Sequence, residues 1–183
     1  VKKMAGLGLT VIVEKGAGHS SRITDDAYAA AGAKIGSASD AKSADVVLKV
    51  RRPNAAEIKS YKKGAAIIAA MDPYGQNDAV KAMADAGLSA FAMEFMPRIT
   101  RAQVMDILSS QANLAGYQAV IDASAEYDRA MPMMMTAAGT VAAAKVFVMG
   151  AGVAGLQAIA TARRLGAVVT ATDVRPAAKE QVA

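Results

Sequence analysis

Short apolar runs recur along the chain: TVIVE at 10–14, DVVLKV at 45–50, AAIIAA at 65–70, AFAMEF at 90–95, KVFVM at 145–149 and AVVTAT at 167–172. Each is short for a helix and too continuously apolar for a strand with one wet face, so they read as strands covered on both faces. Between them lie helix-forming segments. TDDAYAAAGA starts at a Thr24 or Asp25 cap, AAEIKSYKKG follows the second run, and QNDAVKAMADAGL has Asn77 as its N-cap and Gly87 as its stop. Strand and helix in alternation predict parallel sheets joined by right-handed crossovers. The fold class is therefore α/β, with two Rossmann-like parallel-sheet domains, both cut short.

A core can be built from these runs because the chain has 183 residues, of which 54% are hydrophobic and 20% charged. Aromatics are only 4%, and Met reaches 11, so small and flexible side chains must fill that core. The absence of cysteine excludes disulfide frameworks and thiolate metal sites. Lys49, Lys62, Lys145 and Arg163 break every apolar region before it nears the roughly 18 residues of a membrane span. The formal charge of +5 comes from scattered Lys and Arg with no aromatic platform, so nucleic-acid binding is not expected.

From Thr100 to about Arg129 the pattern becomes one long amphipathic stretch, with Val104, Ile107, Leu108, Leu114, Val120 and Ile121 at helical intervals. A helix of that length bridges two domains. The boundary falls in it, giving an N-terminal flavodoxin- or Rossmann-like domain at 1–108, without its first strand, and the N-terminal half of an NAD-binding Rossmann domain at 109–183. The opening VKKMAGLGL reads as a helix end rather than a signal peptide, and VRPAAKEQVA after Asp173 reads as the start of another helix. Both ends point to a piece of a longer chain.

GAGVAG places Gly150, Gly152 and Gly155 as G-x-G-x-x-G, directly after the strand ending at Met149 and directly before LQAIATARRLG. The first glycine permits the tight turn, the second lets a pyrophosphate approach bare backbone, and the third lets helix and strand pack closely. The phosphates then meet the helix N-terminus, where free N–H groups and the dipole favour an anion. After Gly166 stops that helix, the next strand ends at Asp173, about 20 residues beyond the glycines, where an acid accepts bonds from ribose hydroxyls and repels a 2′-phosphate. NAD is favoured over NADP. Val153 and Ala154 within the loop, and Val174 and Arg175 after the acid, complete the expected cofactor-binding set. Arg175 has the chemistry to accept a 2′-phosphate, but from a strand end it is expected to project elsewhere, toward solvent.

A second polar concentration is MPRITRAQVMDILSSQANLAGY, which gathers Arg98, Gln103, Asp106, Ser109, Asn113 and Tyr117. Pro97 fixes the approach of the chain and Thr100 is the expected cap. Such groups suit the orientation of a carboxamide and ribose by hydrogen bonds, without proton abstraction or nucleophilic attack. His19, in a loop with no carboxylate partner, reads as a solvent residue; no catalytic triad and no metal cluster can be assembled. The methionines of MPMMMTAAGTV read as fillers at an interface or beneath a cofactor. Lys49 stands at a strand end, where parallel sheets bind ligands.

FMPRITRAQVMDILSSQANLAGYQAVIDA, PMMMTAAGTV, KVFVMGAGVAGLQAIATARRLGAVVTATDVR and KEQV together resemble the NAD(H)-binding alpha component of the proton-translocating nicotinamide nucleotide transhydrogenase family, with alanine dehydrogenase as a more distant relative. The resemblance runs over nearly the whole chain. It implies direct hydride transfer from NADH on this component to NADP⁺ on a partner component, coupled through a membrane-spanning component to proton movement. It also implies a homodimer peripheral to the membrane on its cytoplasmic side. Arg98, Gln103, Asp106 and Ser109 match the family's nicotinamide-pocket loop, Tyr117 a pocket tyrosine, Gly150, Gly152 and Gly155 its fingerprint and Asp173 its ribose acid. Alanine dehydrogenases resemble this chain at Lys49 but use a histidine one strand later, near Ala70 here. Without that imidazole, deamination lacks its proton acceptor, which favours the transhydrogenase resemblance.

Overall fold

A computed structural model describes residues 1–178, in two units, Val1–Met96 and Pro97–Ala183. In the first, α1 (Lys2–Gly6), β1 (Ile12–Glu14), α2 (Asp25–Ala30) and β2 (Lys34–Gly36) precede β3 (Val46–Arg51), α3 (Ala55–Ser60), β4 (Ala66–Ala70), α4 (Asn77–Asp85) and β5 (Ser89–Ala92). Caps set the helix starts. The Thr24 hydroxyl accepts from the Ala27 N–H at 3.2 Å. Asn54 accepts from Ala56 and Glu57 at 2.9 and 3.0 Å, while Glu57 reaches back to the Asn54 N–H at 2.7 Å, closing a capping box. Asn77 is not the cap of α4: the Val80 N–H bonds the Gln76 carbonyl, so the first turn closes one residue earlier and Asn77 lies inside it. Gly87 does end that helix, at φ +69°.

β1 and β2 pair in parallel, as do β3, β4 and β5 with β4 in the centre. The core of this unit joins Val47, Ile67 and Met71 to Ile58 of α3 and to Met83 and Leu88 at the end of α4. Ile67, at 0% exposure, contributes about 1.5–3 kcal/mol by its burial. AFAMEF is a strand only to Ala92. Glu94 bends away in a 3₁₀ turn, and its carboxylate accepts from the Met71 and Asp72 N–H groups at 3.0 and 2.6 Å in the loop after β4. β2, a three-residue strand opened by a lysine, has no apolar run to announce it.

The second unit contains α5 (Ile107–Glu126), β6 (Met134–Thr136), β7 (Gly139–Val141), β8 (Lys145–Met149), α6 (Val153–Arg164) and β9 (Val168–Thr172). β8 and β9 run parallel in register from Lys145 opposite Val168 to Met149 opposite Thr172, joined by α6. The expectation of strands covered on both faces fails here. Alternate residues of β8 are open, including Phe147 and Met149, because no described element covers that face. β6 and β7 form an antiparallel hairpin. Its methionines fill no gap within the unit: Met133 and Met135 are exposed.

The long stretch from Thr100 is not one helix. Thr100–Met105 winds as a 3₁₀ segment, Asp106 turns extended at ψ +93°, and α5 begins after it. Asp106 caps α5, not Thr100. Nor does the amphipathic stripe pack as expected: Val104, Leu108 and Leu114 are exposed, and the buried residues of α5 are Gly116 and Val120. The reason is closeness, since only a bare backbone fits where α5 meets α6. Pro176–Ala178 is a 3₁₀ turn, and the rest of the helix expected there, with the KEQV motif, lies outside the described residues. Among the described residues no helix is long and apolar enough to cross a membrane.

Candidate functional site

Each expected glycine occupies a different environment. Gly150 has φ +102°, a conformation other residues rarely adopt, and its N–H bonds the Thr172 carbonyl of β9 at 2.7 Å. At Gly155 a Cβ would lie 1.8 Å from the Gly150 oxygen, so only glycine lets α6 start against the turn. At Gly152 the nearest atom to such a Cβ is the Arg175 Nη2, 4.0 Å away. That is open space for a ligand. Gly152 is the N-cap of α6 and no side chain caps that helix, which leaves the Val153, Ala154 and Gly155 N–H groups of its first turn without a side-chain acceptor. A bare, uncapped helix start above an absent Cβ fits a diphosphate by the chemistry of its donors.

Asp173 lies across the turn. Its Oδ2 accepts from the Ala151 N–H at 2.6 Å and from Arg175 Nη2 at 3.0 Å; its Oδ1 accepts from the Arg175 N–H at 2.8 Å and Nε at 3.0 Å. The Arg175 side chain above all, then the two backbone N–H groups, hold this carboxyl far below the usual carboxylate range, and the same pairing raises the Arg175 pKa. Arg175 therefore does not project away from the site. Its guanidinium folds back because a bidentate carboxylate lies two residues before it. Val174 is almost fully exposed.

The polar stretch divides. Asp106 and Ser109 are joined: Oδ1 accepts the Ser109 N–H at 2.9 Å and Oδ2 the Ser109 hydroxyl at 2.7 Å. The Ser109 N–H first, then its hydroxyl, keep the Asp106 pKa below its ordinary value, with the Arg98 charge a minor contribution. Arg98 and Gln103 are exposed. Further along α5, Asn113 donates to Gln157 of α6 at 3.3 Å, and Gln157 donates to the nearly buried Thr161 at 3.1 Å. One turn on, Gly116 meets the glycine loop itself: a Cβ there would be 2.1 Å from the Ala154 oxygen. Tyr117 follows, half exposed.

Gly116 and Gln157 join this site without having been expected in it. A lone glycine inside a long helical pattern is the signal that points to Gly116, since it costs helix stability and needs a packing reason. Gln157 carries no comparable signal.

Residues 1–115 match the family described as alanine dehydrogenase/PNT, N-terminal domain, and residues 119–183 match its C-terminal domain. The chain belongs to the alanine dehydrogenase/PNT family. Within this family it is 59% identical, over all of its length and 49% of the relative's, to an NAD(P) transhydrogenase alpha subunit of Rhodospirillum rubrum. The crystal structure of a transhydrogenase from Sinorhizobium meliloti superposes with a TM-score of 0.96 at 74% identity, covering 99% of this chain and 55% of that one. Alanine dehydrogenase of Bilophila wadsworthia is more distant, at 31% over 91% of the chain and 45% of its own length. The chain spans about half the length of the curated relatives it matches.

The residues that resemble alanine dehydrogenases belong to the first unit of this family member. Lys49 is bound to the Glu57 carboxylate, which already serves the capping box of α3. Burial works to raise the Glu57 pKa, but bonds from Lys49 and the Asn54 N–H outweigh it and keep the pKa low. Lys49 is thus engaged in holding a helix start. Ala70 ends β4 and offers no proton acceptor. His19 is exposed, in a 3₁₀ turn. Among the described residues no group of His, Cys, Asp and Glu could hold a metal.

Proposed function

We propose that the chain is the NAD(H)-binding portion of a proton-translocating NAD(P) transhydrogenase, passing hydride from NADH to NADP⁺ held on a partner component. The similarity that carries this reading is the 59% identity to a transhydrogenase alpha subunit across the entire chain. It is supported locally by the uncapped start of α6 over Gly152 and by the acid at the end of β9.

When bound, the nicotinamide supplies a hydride, which moves with its electron pair and leaves no proton for the protein to accept. The residues then have to bind and orient. N–H groups of Val153, Ala154 and Gly155 hold the diphosphate, and Asp173 accepts from the adenosine ribose. Arg98, Gln103, Asp106 and Ser109 orient the carboxamide end. Ser109 gives its hydrogen to Asp106 and so retains oxygen lone pairs to accept an amide N–H. Asn113 and Tyr117 line the site beside Gly116. Coupling to proton movement belongs to a membrane-spanning component, with the chain on the cytoplasmic side as a homodimer.

The test follows deuterium. In the full-length complex, NADH deuterated at the transferring position is expected to yield NADPH that keeps the label. Loss of label to water, or NADH oxidation driven by pyruvate and ammonia in place of partner-bound NADP⁺, would contradict the reading and favour alanine dehydrogenase chemistry.

A further inference from the structure

All lone-pair positions of the Asp173 carboxylate are taken. An ionised carboxylate offers about four acceptor positions in its plane, and here each oxygen receives two donors: Oδ1 the N–H and Nε of Arg175, Oδ2 the Ala151 N–H and Nη2 of Arg175. The Asp173 side chain is only 8% exposed, and the Arg175 side chain, at 61%, lies on its solvent side. The same Nη2 lies 4.0 Å from the point where a Gly152 Cβ would stand. One guanidinium thus occupies the carboxylate and overhangs the opening left by the missing side chain.

The two backbone donors are fixed by the turn, but the two from the guanidinium are not. Nothing besides Asp173 is bonded to that guanidinium among the described residues. We infer that the Arg175 side chain is the protein's own occupant of the adenosine ribose site, and that a ribose diol binds Asp173 only by displacing it. This rests on the dinucleotide reading above and adds a residue that sets affinity at the same site. The exchange is balanced in kind, since two N–H donors leave the carboxylate and two O–H donors replace them. A charged fork gives way to neutral hydroxyls, so Arg175 lowers affinity for the adenosine half while it remains attached. It equally weakens the repulsion that a free Asp173 would exert on a 2′-phosphate, so its removal sharpens the preference for NADH over NADPH.

The experiment is calorimetric titration of the full-length protein with NADH and with NADPH, for the wild type, Arg175→Ala, Arg175→Lys, Asp173→Asn and the double variant. Arg175→Ala is expected to bind NADH about two- to fivefold more tightly, the size of an exposed ion pair, with NADPH weakened or unchanged. Lysine, a point donor without a fork, falls between. The gain disappears in the Asp173→Asn background. Equal or weaker NADH binding by Arg175→Ala, or a gain that persists without the aspartate, overturns the inference. If Asp173→Asn leaves NADH affinity untouched, it is the ribose reading itself that fails.

Discussion

Gln103 shows what a residue in an orienting role must do. It is exposed, with no side-chain bond among the described residues, so truncating it disturbs little of the fold. Gln103→Ala is expected to slow hydride transfer more than about tenfold while changing NADH affinity less than about threefold, the pattern of an interaction used in the transition state. Stopped-flow transfer rates beside equilibrium titration measure both; equal losses would refute the role. Asp173 makes a different prediction. Its folded pKa is depressed below the ordinary value of 3.8, so its contribution is fully present above that pH and is lost only on strong acidification. NADH affinity is therefore expected to show no titration from this group between about pH 5 and 8; a carboxylate-type inflection in that range, absent in Asp173→Asn, would contradict it. The glycines and this acid are legible in the sequence because each answers a backbone or charge requirement that few other residues meet. The Arg175 fork is not, since a strand end says nothing of a side chain that folds back two residues.

Elements are legible where pattern and caps agree. KVFVM and AVVTAT form β8 and β9 nearly residue for residue, and Thr24 caps α2 as its position predicts. They are illegible where one side chain overrides the pattern. Asp106 takes the Ser109 N–H and ends the 3₁₀ segment, so periodicity that runs on through Thr100–Met105 does not make α-helix. The β6–β7 hairpin is hidden by a methionine run with no strand alternation. The crossing of α5 on α6 rests on Gly116, whose added methyl would meet the Ala154 carbonyl at 2.1 Å. Gly116→Ala is expected to cost about 1–3 kcal/mol, the usual penalty of overpacking, despite alanine's better helix propensity. Because the displaced atom belongs to the glycine loop, NADH affinity should fall with it. Denaturant unfolding and titration of the same variant check both, and a stabilised variant with unchanged affinity would refute the close approach. In the first unit, Glu94 is held ionised: burial opposes it, but the Asp72 and Met71 N–H groups lower its pKa below 4.5. Its contribution to stability is present above that value and declines as pH falls through the lower, folded one. Glu94→Gln should flatten the acid limb of the stability curve below about pH 4.5, measured by denaturation.

At the scale of the whole molecule, the chain has two α/β units, and the expected nucleotide-site residues all lie in the unit Pro97–Ala183. Family membership follows from the length of the matches, and the chemistry follows from a helix start left bare. Faces left open, such as the one carrying Phe147 and Met149, show that burial is harder to read than fold class: an apolar run reports what a strand can bury, not what covers it. The decisive measurement is a structure of the full-length protein with NADH bound. The diphosphate is expected against the amides of Val153 to Gly155 above Gly152, with the adenosine ribose on the Asp173 carboxylate and Arg175 swung clear. A nucleotide seated elsewhere, with Gly152 and Asp173 both out of contact, would contradict that expectation and the function proposed from it.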